Sequence, residues 1–146
     1  LKSKFSIAIV LFVLAVQAKA DDLVTRFGVL STDARQMLLF NGKPVLPAIE
    51  GNNSLTFMAV FRSIDPDFWR DSDVVLIQNN GGTACPAMYH VATIMSSGIK
   101  VTPEFGTCSD LIDFAKNKKN LHSLPRMDRL GAMTYYNYDP KTQTVK

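Results

Sequence analysis

Cys85 and Cys108 are the only cysteines in the chain, and the stretch between them reads as a β-hairpin. Residues 88–95 have the apolar and β-branched content of a strand. Ser96-Ser97-Gly98 supplies a turn, and residues 99–102 return as the partner. A hairpin brings the residues before and after it together, so a bond between the cysteines would staple its open end. Gly81, Gly82, Pro86, Pro103 and Gly106 surround the pair. They suit the tight turns that a Cα separation of ~5.5 Å demands. Cys85 and Cys108 are therefore expected to form a disulfide. Closing a loop of about 22 residues is worth ~3 kcal/mol in the chain-entropy account, a sizeable share of a domain's ~5–15 kcal/mol.

Such a bond needs an oxidising destination, and the first twenty residues have the composition of an export signal. Lys2 and Lys4 open it, and residues 5–16 are apolar apart from Ser6. Ala18-Lys19-Ala20 then fits a signal peptidase, whose pocket takes only small side chains at two of those positions. A helix made of the apolar run would be ~18 Å long, too short for ~30 Å of hydrocarbon. Cleavage is expected between Ala20 and Asp21, leaving residues 21–146 as one β-rich domain with no membrane span. The expected destination is the periplasm or the medium.

Removing that segment changes the charge balance. The whole chain has a net charge of +3, from 16 basic and 13 acidic residues. Lys2, Lys4 and Lys19 lie in the signal and no acidic residue does, so the remainder is formally neutral. The basic pI of about 8.9 is a property of the targeting segment. A neutral domain gives no support for nucleic-acid binding. The 126 residues that remain of the 146 are one domain's worth, enough to bury a core without a structural metal.

Along that domain, short apolar runs alternate with turn residues, which predicts β structure. Residues 37–40 form one run, and Asn41-Gly42 after it suits a tight turn. Pro44 and Pro47 make the next segment a poor central strand. Leu55, Phe57, Ala59 and Phe61 alternate as one face of a strand would. Residues 74–77 are continuously apolar, as in a strand buried on both faces. Residues 111–115 fit a strand or a helical turn, 117–120 a turn, and 121–124 a segment pairing back. Residues 133–138 have strong β propensity, 139–142 read as a turn, and a short strand is expected after it. Residues 128–133 alone suggest a helical turn. The expected fold is mainly β, an antiparallel sandwich or barrel of short strands with at most short helical turns.

The motifs GGTACP, residues 81–86, and PEFGTCSD, residues 103–110, with YxYD at residues 136–139, resemble a family of small exported proteins of Gram-negative bacteria. The resemblance covers residues 74–110, and residues 116–132 depart from it. It implies a periplasmic or secreted domain whose two cysteines are paired. That family has no established biochemical function and supplies no catalytic residue to carry over.

Other constellations are weaker. Cys85 and His90 would lie ~16 Å apart in a strand, out of hydrogen-bond reach as nucleophile and base. His122 is the only other histidine, so no His-rich metal site is expected. Asp65, Asp67, Asp71 and Asp73 form an acidic cluster. Trp69 and Arg70 stand where a calcium loop of the EF-hand type needs Asp or Asn and then Gly. A solvated turn is the expectation there, with Arg70 offsetting Asp65. Gly81-Gly82-Thr83 lacks the lysine and the helix of a phosphate loop. Trp69, Tyr135, Tyr136 and Tyr138 could form an aromatic platform, though such residues more often build the core.

No catalytic residue, metal site or cofactor is implied. The expected function is that of an exported, non-enzymatic domain whose partner is a protein or envelope component. The alternative is an envelope hydrolase that uses carboxylates such as Glu104 and Asp110.

Overall fold

The computed structural model describes residues 22–62, 71–110, 124–127, 133–139 and 142–146. The expected signal and its cleavage point at Ala20 and Asp21 lie outside the described residues. So do Asp65, Asp67, Trp69, Arg70 and His122, and the segments expected at 111–115, 117–120 and 128–132.

The described chain is all β. Strands β1 (Leu23–Val24), β2 (Val29–Thr32), β3 (Leu38–Phe40) and β4 (Lys43–Pro44) form an antiparallel sheet in chain order. Asn41 and Gly42 join β3 to β4 with φ of 50° and 75°. Both central residues of this two-residue turn are therefore left-handed, which Asn-Gly adopts at little cost. Pro44, which cannot donate to a ladder, lies on the edge strand β4.

A second antiparallel sheet follows, also in chain order. It contains β5 (Ser54–Arg62), β6 (Ser72–Asn80), β7 (Ala87–Met95) and β8 (Gly98–Val101). Its two central strands carry the core. Val75 and Ile77 of β6, with Ala92 and Ile94 of β7, pack against Leu30, Leu38, Val45 and Ile49 of the first-sheet region. Val74 and Leu76, with Tyr89 and Val91, turn the other way and pack against Tyr138. Each of these apolar side chains adds ~1.5–3 kcal/mol when fully buried. The continuous apolar run at 74–77 thus reflects a strand covered on both sides.

Tyr138 belongs to a C-terminal ribbon of β11 (Tyr138–Asp139) and β12 (Thr144–Val145), and a further ribbon pairs β9 (Leu124–Met127) with β10 (Met133–Tyr136). The expected single strand over 133–138 is therefore two pieces. Asn137 divides them and exchanges backbone hydrogen bonds with Lys146. Leu124 pairs with Tyr136, and Met133 begins β10 where a helical turn was expected.

The alternation in β5 needs a correction. A bulge between Phe57 and Ala59 shifts the register, so Phe57 opposes Ile77 whereas Ala59 opposes Leu76. Ile77 and Leu76 face opposite layers, so the alternating set does not share one face. Phe57 joins the core on the first-sheet side, and Phe61 joins the core on the Tyr138 side. An extra residue in a strand flips everything after it to the other face of its partner.

Asp73 is a second correction. It is not part of a solvated acidic turn; it lies in β6 and is fully buried. Its carboxylate accepts from Arg26 Nε at 2.7 Å and from the Arg26 backbone N–H at 2.7 Å. The same guanidinium donates to the Ser72 carbonyl at 2.7 Å. This pair ties the β1–β2 connection to the start of β6, and the bidentate fit repays part of the cost of burying the carboxylate.

Burial pushes the Tyr138 phenol above its ordinary pKa of 10.0, and nearby Asp139 adds to the rise, while a hydrogen bond with Thr93 opposes it. The unfolded chain ionises this phenol first, so the stability it contributes is full below about pH 10 and falls as pH rises further. Denaturant titrations between pH 9 and 11 should therefore show stability falling more steeply in the wild type than in Tyr138→Phe. Equal slopes would show that this phenol does not set the alkaline limit.

Candidate functional site

The segment stapled by the two cysteines is where polar chemistry concentrates. Cys85 and Cys108 are joined, with S–S 2.00 Å and Cα–Cα 4.4 Å, and no free cysteine remains. Cys85 is therefore no thiol nucleophile. Cys108 sits at φ 62°, a left-handed conformation uncommon for a residue with a side chain.

The loop from β6 to β7 is closed by Gly81 N–H donating to the Pro86 carbonyl at 2.9 Å and Cys85 N–H to the Gly82 carbonyl at 3.1 Å. A Cβ on Gly81 would come within 2.1 Å of the Cys85 carbonyl oxygen, whereas one on Gly82 would meet nothing within 4 Å. The two glycines of the GGTACP motif thus have different roles: the first permits a close backbone approach, and the second is not required for space.

Beyond β8 the chain keeps running along β7. Phe105 and Tyr89 exchange backbone hydrogen bonds at 2.9 and 2.8 Å. Val101 pairs with Ala92, so four steps on this side match three on β7, and one residue is extra. The sequence Thr102-Pro103-Glu104 explains how. The Val91 N–H donates to the Thr102 hydroxyl at 2.9 Å, which frees the Thr102 carbonyl from the ladder. Pro103 has no N–H to offer. The freed carbonyl faces His90 Nδ1 at 3.0 Å. Glu104 emerges from this irregularity facing β6 and β7.

Three side chains meet there. Asn79 is buried in β6, and its Oδ1 accepts from the Asn52 backbone N–H at 2.8 Å. That fixes the amide orientation and aims Nδ2 at Glu104 Oε1, 2.7 Å away. His90 Nε2 faces the same oxygen at 3.6 Å. The His90 side chain is 6% exposed and that of Glu104 is 38% exposed, so only the carboxylate opens to solvent.

The two carboxylates singled out from the sequence lie in different settings. Glu104 is engaged by Asn79 and His90, and Asp110 is exposed beyond Cys108. Of the aromatic platform, Trp69 lies outside the described residues, and the two tyrosines whose side chains are described do not stand free. Tyr138 is fully buried, and Tyr136 packs on Phe105 with ring centroids 5.2 Å apart. Sequence reasoning missed Asn79 and His90 as the partners of Glu104. The available signal was the two-residue period of β7, which puts His90 on the face of Ala92 and Ile94 and hence in the interior.

No family model, no curated protein and no solved structure matches the chain. Among the described residues no helix is long and apolar enough to cross a membrane.

Two measurements probe this segment. A Cys85→Ala, Cys108→Ala variant should keep the fold and lose roughly 2–4 kcal/mol in denaturant unfolding. Two labelled thiols in the native protein, before any reduction, would dispose of the bond itself. Gly81→Ala should destabilise by more than about 2 kcal/mol, as overpacking does, while Gly82→Ala should fall within about 0.5 kcal/mol of wild type. Equal losses at the two positions would contradict the close approach at Gly81.

Proposed function

We propose that this is an exported domain, periplasmic or secreted, that binds a protein or envelope component and performs no chemistry on it. The observation that carries this reading is the disulfide: the chain's only two cysteines are paired, which is compatible with an oxidising compartment. The apolar first twenty residues and the resemblance of the GGTACP and PEFGTCSD motifs to an exported Gram-negative family support the same reading. The hydrolase alternative needs two carboxylates flanking one bond, and Glu104 is already engaged by Asn79 and His90. Of the large apolar side chains among the described residues, Leu46 is the most exposed at 86%, a place where a partner could gain contact area.

The test is made in the exporting cell. The full chain carrying a photo-crosslinking residue at position 46 is expressed, and the exported material is fractionated and sequenced from its N-terminus. The expected result is a chain beginning at Asp21 and a discrete crosslinked species that excess purified domain competes away. A chain that keeps residues 5–16, or crosslinks that are diffuse and not competed, would overturn the reading. So would hydrolysis of an envelope polymer that disappears in Glu104→Gln.

A further inference from the structure

His90 and Glu104 present two Lewis bases to one another across a gap. The Thr102 carbonyl can only accept, so His90 Nδ1, at 3.0 Å from it, carries a hydrogen. In a neutral imidazole that tautomer leaves the lone pair on Nε2, which lies 3.6 Å from Glu104 Oε1. That distance is too long for a charge-assisted hydrogen bond, which would close to ~2.7–2.9 Å. A lone pair and a carboxylate repel unless a proton donor or a cation stands between them.

We propose that His90 Nε2 and Glu104 form a binding site for a borderline divalent cation of the zinc type. Bonds of about 2.0–2.1 Å to nitrogen and 2.0–2.2 Å to oxygen span the observed 3.6 Å at an angle of roughly 120°, near tetrahedral. The surroundings match what such ligands need. An Nδ1–H bonded to a backbone carbonyl fixes the tautomer and orientation of a metal-ligating histidine, and Asn79 Nδ2 orients the carboxylate. The His90 ring is buried, whereas the partly exposed Glu104 gives a way in. Among the described residues no third His, Cys, Asp or Glu joins the pair, so water completes the coordination. One imidazole and one carboxylate suit zinc, nickel or copper better than calcium or magnesium, which prefer all-oxygen sites. The site does not depend on the proposed binding role, since it rests on Asn79, His90, Thr102 and Glu104 alone. A bound ion would cross-link β7 to the segment that runs to Cys108, adding a second tie to the one the disulfide makes.

The experiment uses the untagged protein with its disulfide intact and Zn²⁺ as the probe. Calorimetric titration at pH 7.5 should give one saturable site per chain. Glu104→Gln keeps the shape of a half-exposed side chain while removing its charge. It should weaken binding at least tenfold and abolish the rise in melting temperature that Zn²⁺ produces in the wild type. Because His90 is buried and its replacement could unfold the protein, its role is read directly. Long-range ¹H–¹⁵N spectra should show Nδ1 protonated throughout and the Nε2 resonance shifting on Zn²⁺ addition. His122→Ala, which removes the chain's other imidazole, should bind as wild type does. No saturable binding up to 1 mM Zn²⁺, binding lost in His122→Ala and kept in Glu104→Gln, or an imidazole already protonated on both nitrogens and unmoved by Zn²⁺ would each overturn the proposal.

Discussion

A strand buried on both faces has to be covered twice, and that requirement on β6 organises the rest of the chain. Val75 and Ile77 need one apolar layer, and Val74 and Leu76 need another. The first sheet provides one through Leu30 and Leu38, and the C-terminal ribbon provides the other through Tyr138. A central sheet covered on one side only would leave a row of aliphatic side chains in water, at roughly 25 cal/mol for each Å² exposed. Residues far from the middle of the sequence are thereby committed to covering its middle.

Polar groups taken inside with β6 and β7 need partners of their own. Asp73 is met by Arg26, Asn79 by Asn52 and Glu104, His90 by Thr102, and Thr93 by Tyr138. Each contact joins the central sheet to another part of the chain. An apolar interface tolerates sliding, but a buried carboxylate that accepts from both the side chain and the backbone of one arginine does not. The hydrophobic layers drive the packing, and these polar contacts select one register for it.

Features that depend on neighbours in sequence were legible in advance. The Asn41-Gly42 turn, the hairpin between Cys85 and Cys108, the pairing of those cysteines and the doubly buried run at 74–77 all have local signatures. The features that escaped depend on distant partners or on one inserted residue. Asp73 looked like a member of an acidic turn because Arg26 is 47 positions away. The residues of β5 alternate without interruption across the bulge, since nothing in their own period records that the partner has slipped by one. The segment expected at 133–138 divides because it changes partners: Tyr136 pairs with Leu124, and Asn137 pairs with Lys146 in continuation of the β11–β12 ladder. Glu104 was singled out for its place near Cys108, but its role depends on Asn79, 25 residues earlier.

The bulge at Thr102-Pro103-Glu104 shows how local chemistry can build a site that no motif announces. A threonine hydroxyl stands in for a ladder carbonyl, and a proline removes the next donor. The carbonyl so released turns to a histidine on the neighbouring strand. Pairing returns at Phe105 through a single bridge to Tyr89. The extra residue is therefore confined between β8 and that bridge, with the disulfide beyond it. Confinement matters because a carboxylate on a free loop would find water easily and have no lasting neighbour. Held at both ends, Glu104 stays beside Asn79 and His90, and the same restraint that stabilises the fold keeps these three groups in fixed geometry. Such a preformed cluster loses little entropy when it takes a ligand, which makes this segment, rather than the outer faces of the sheets, the better-prepared part of the molecule for small-ligand chemistry.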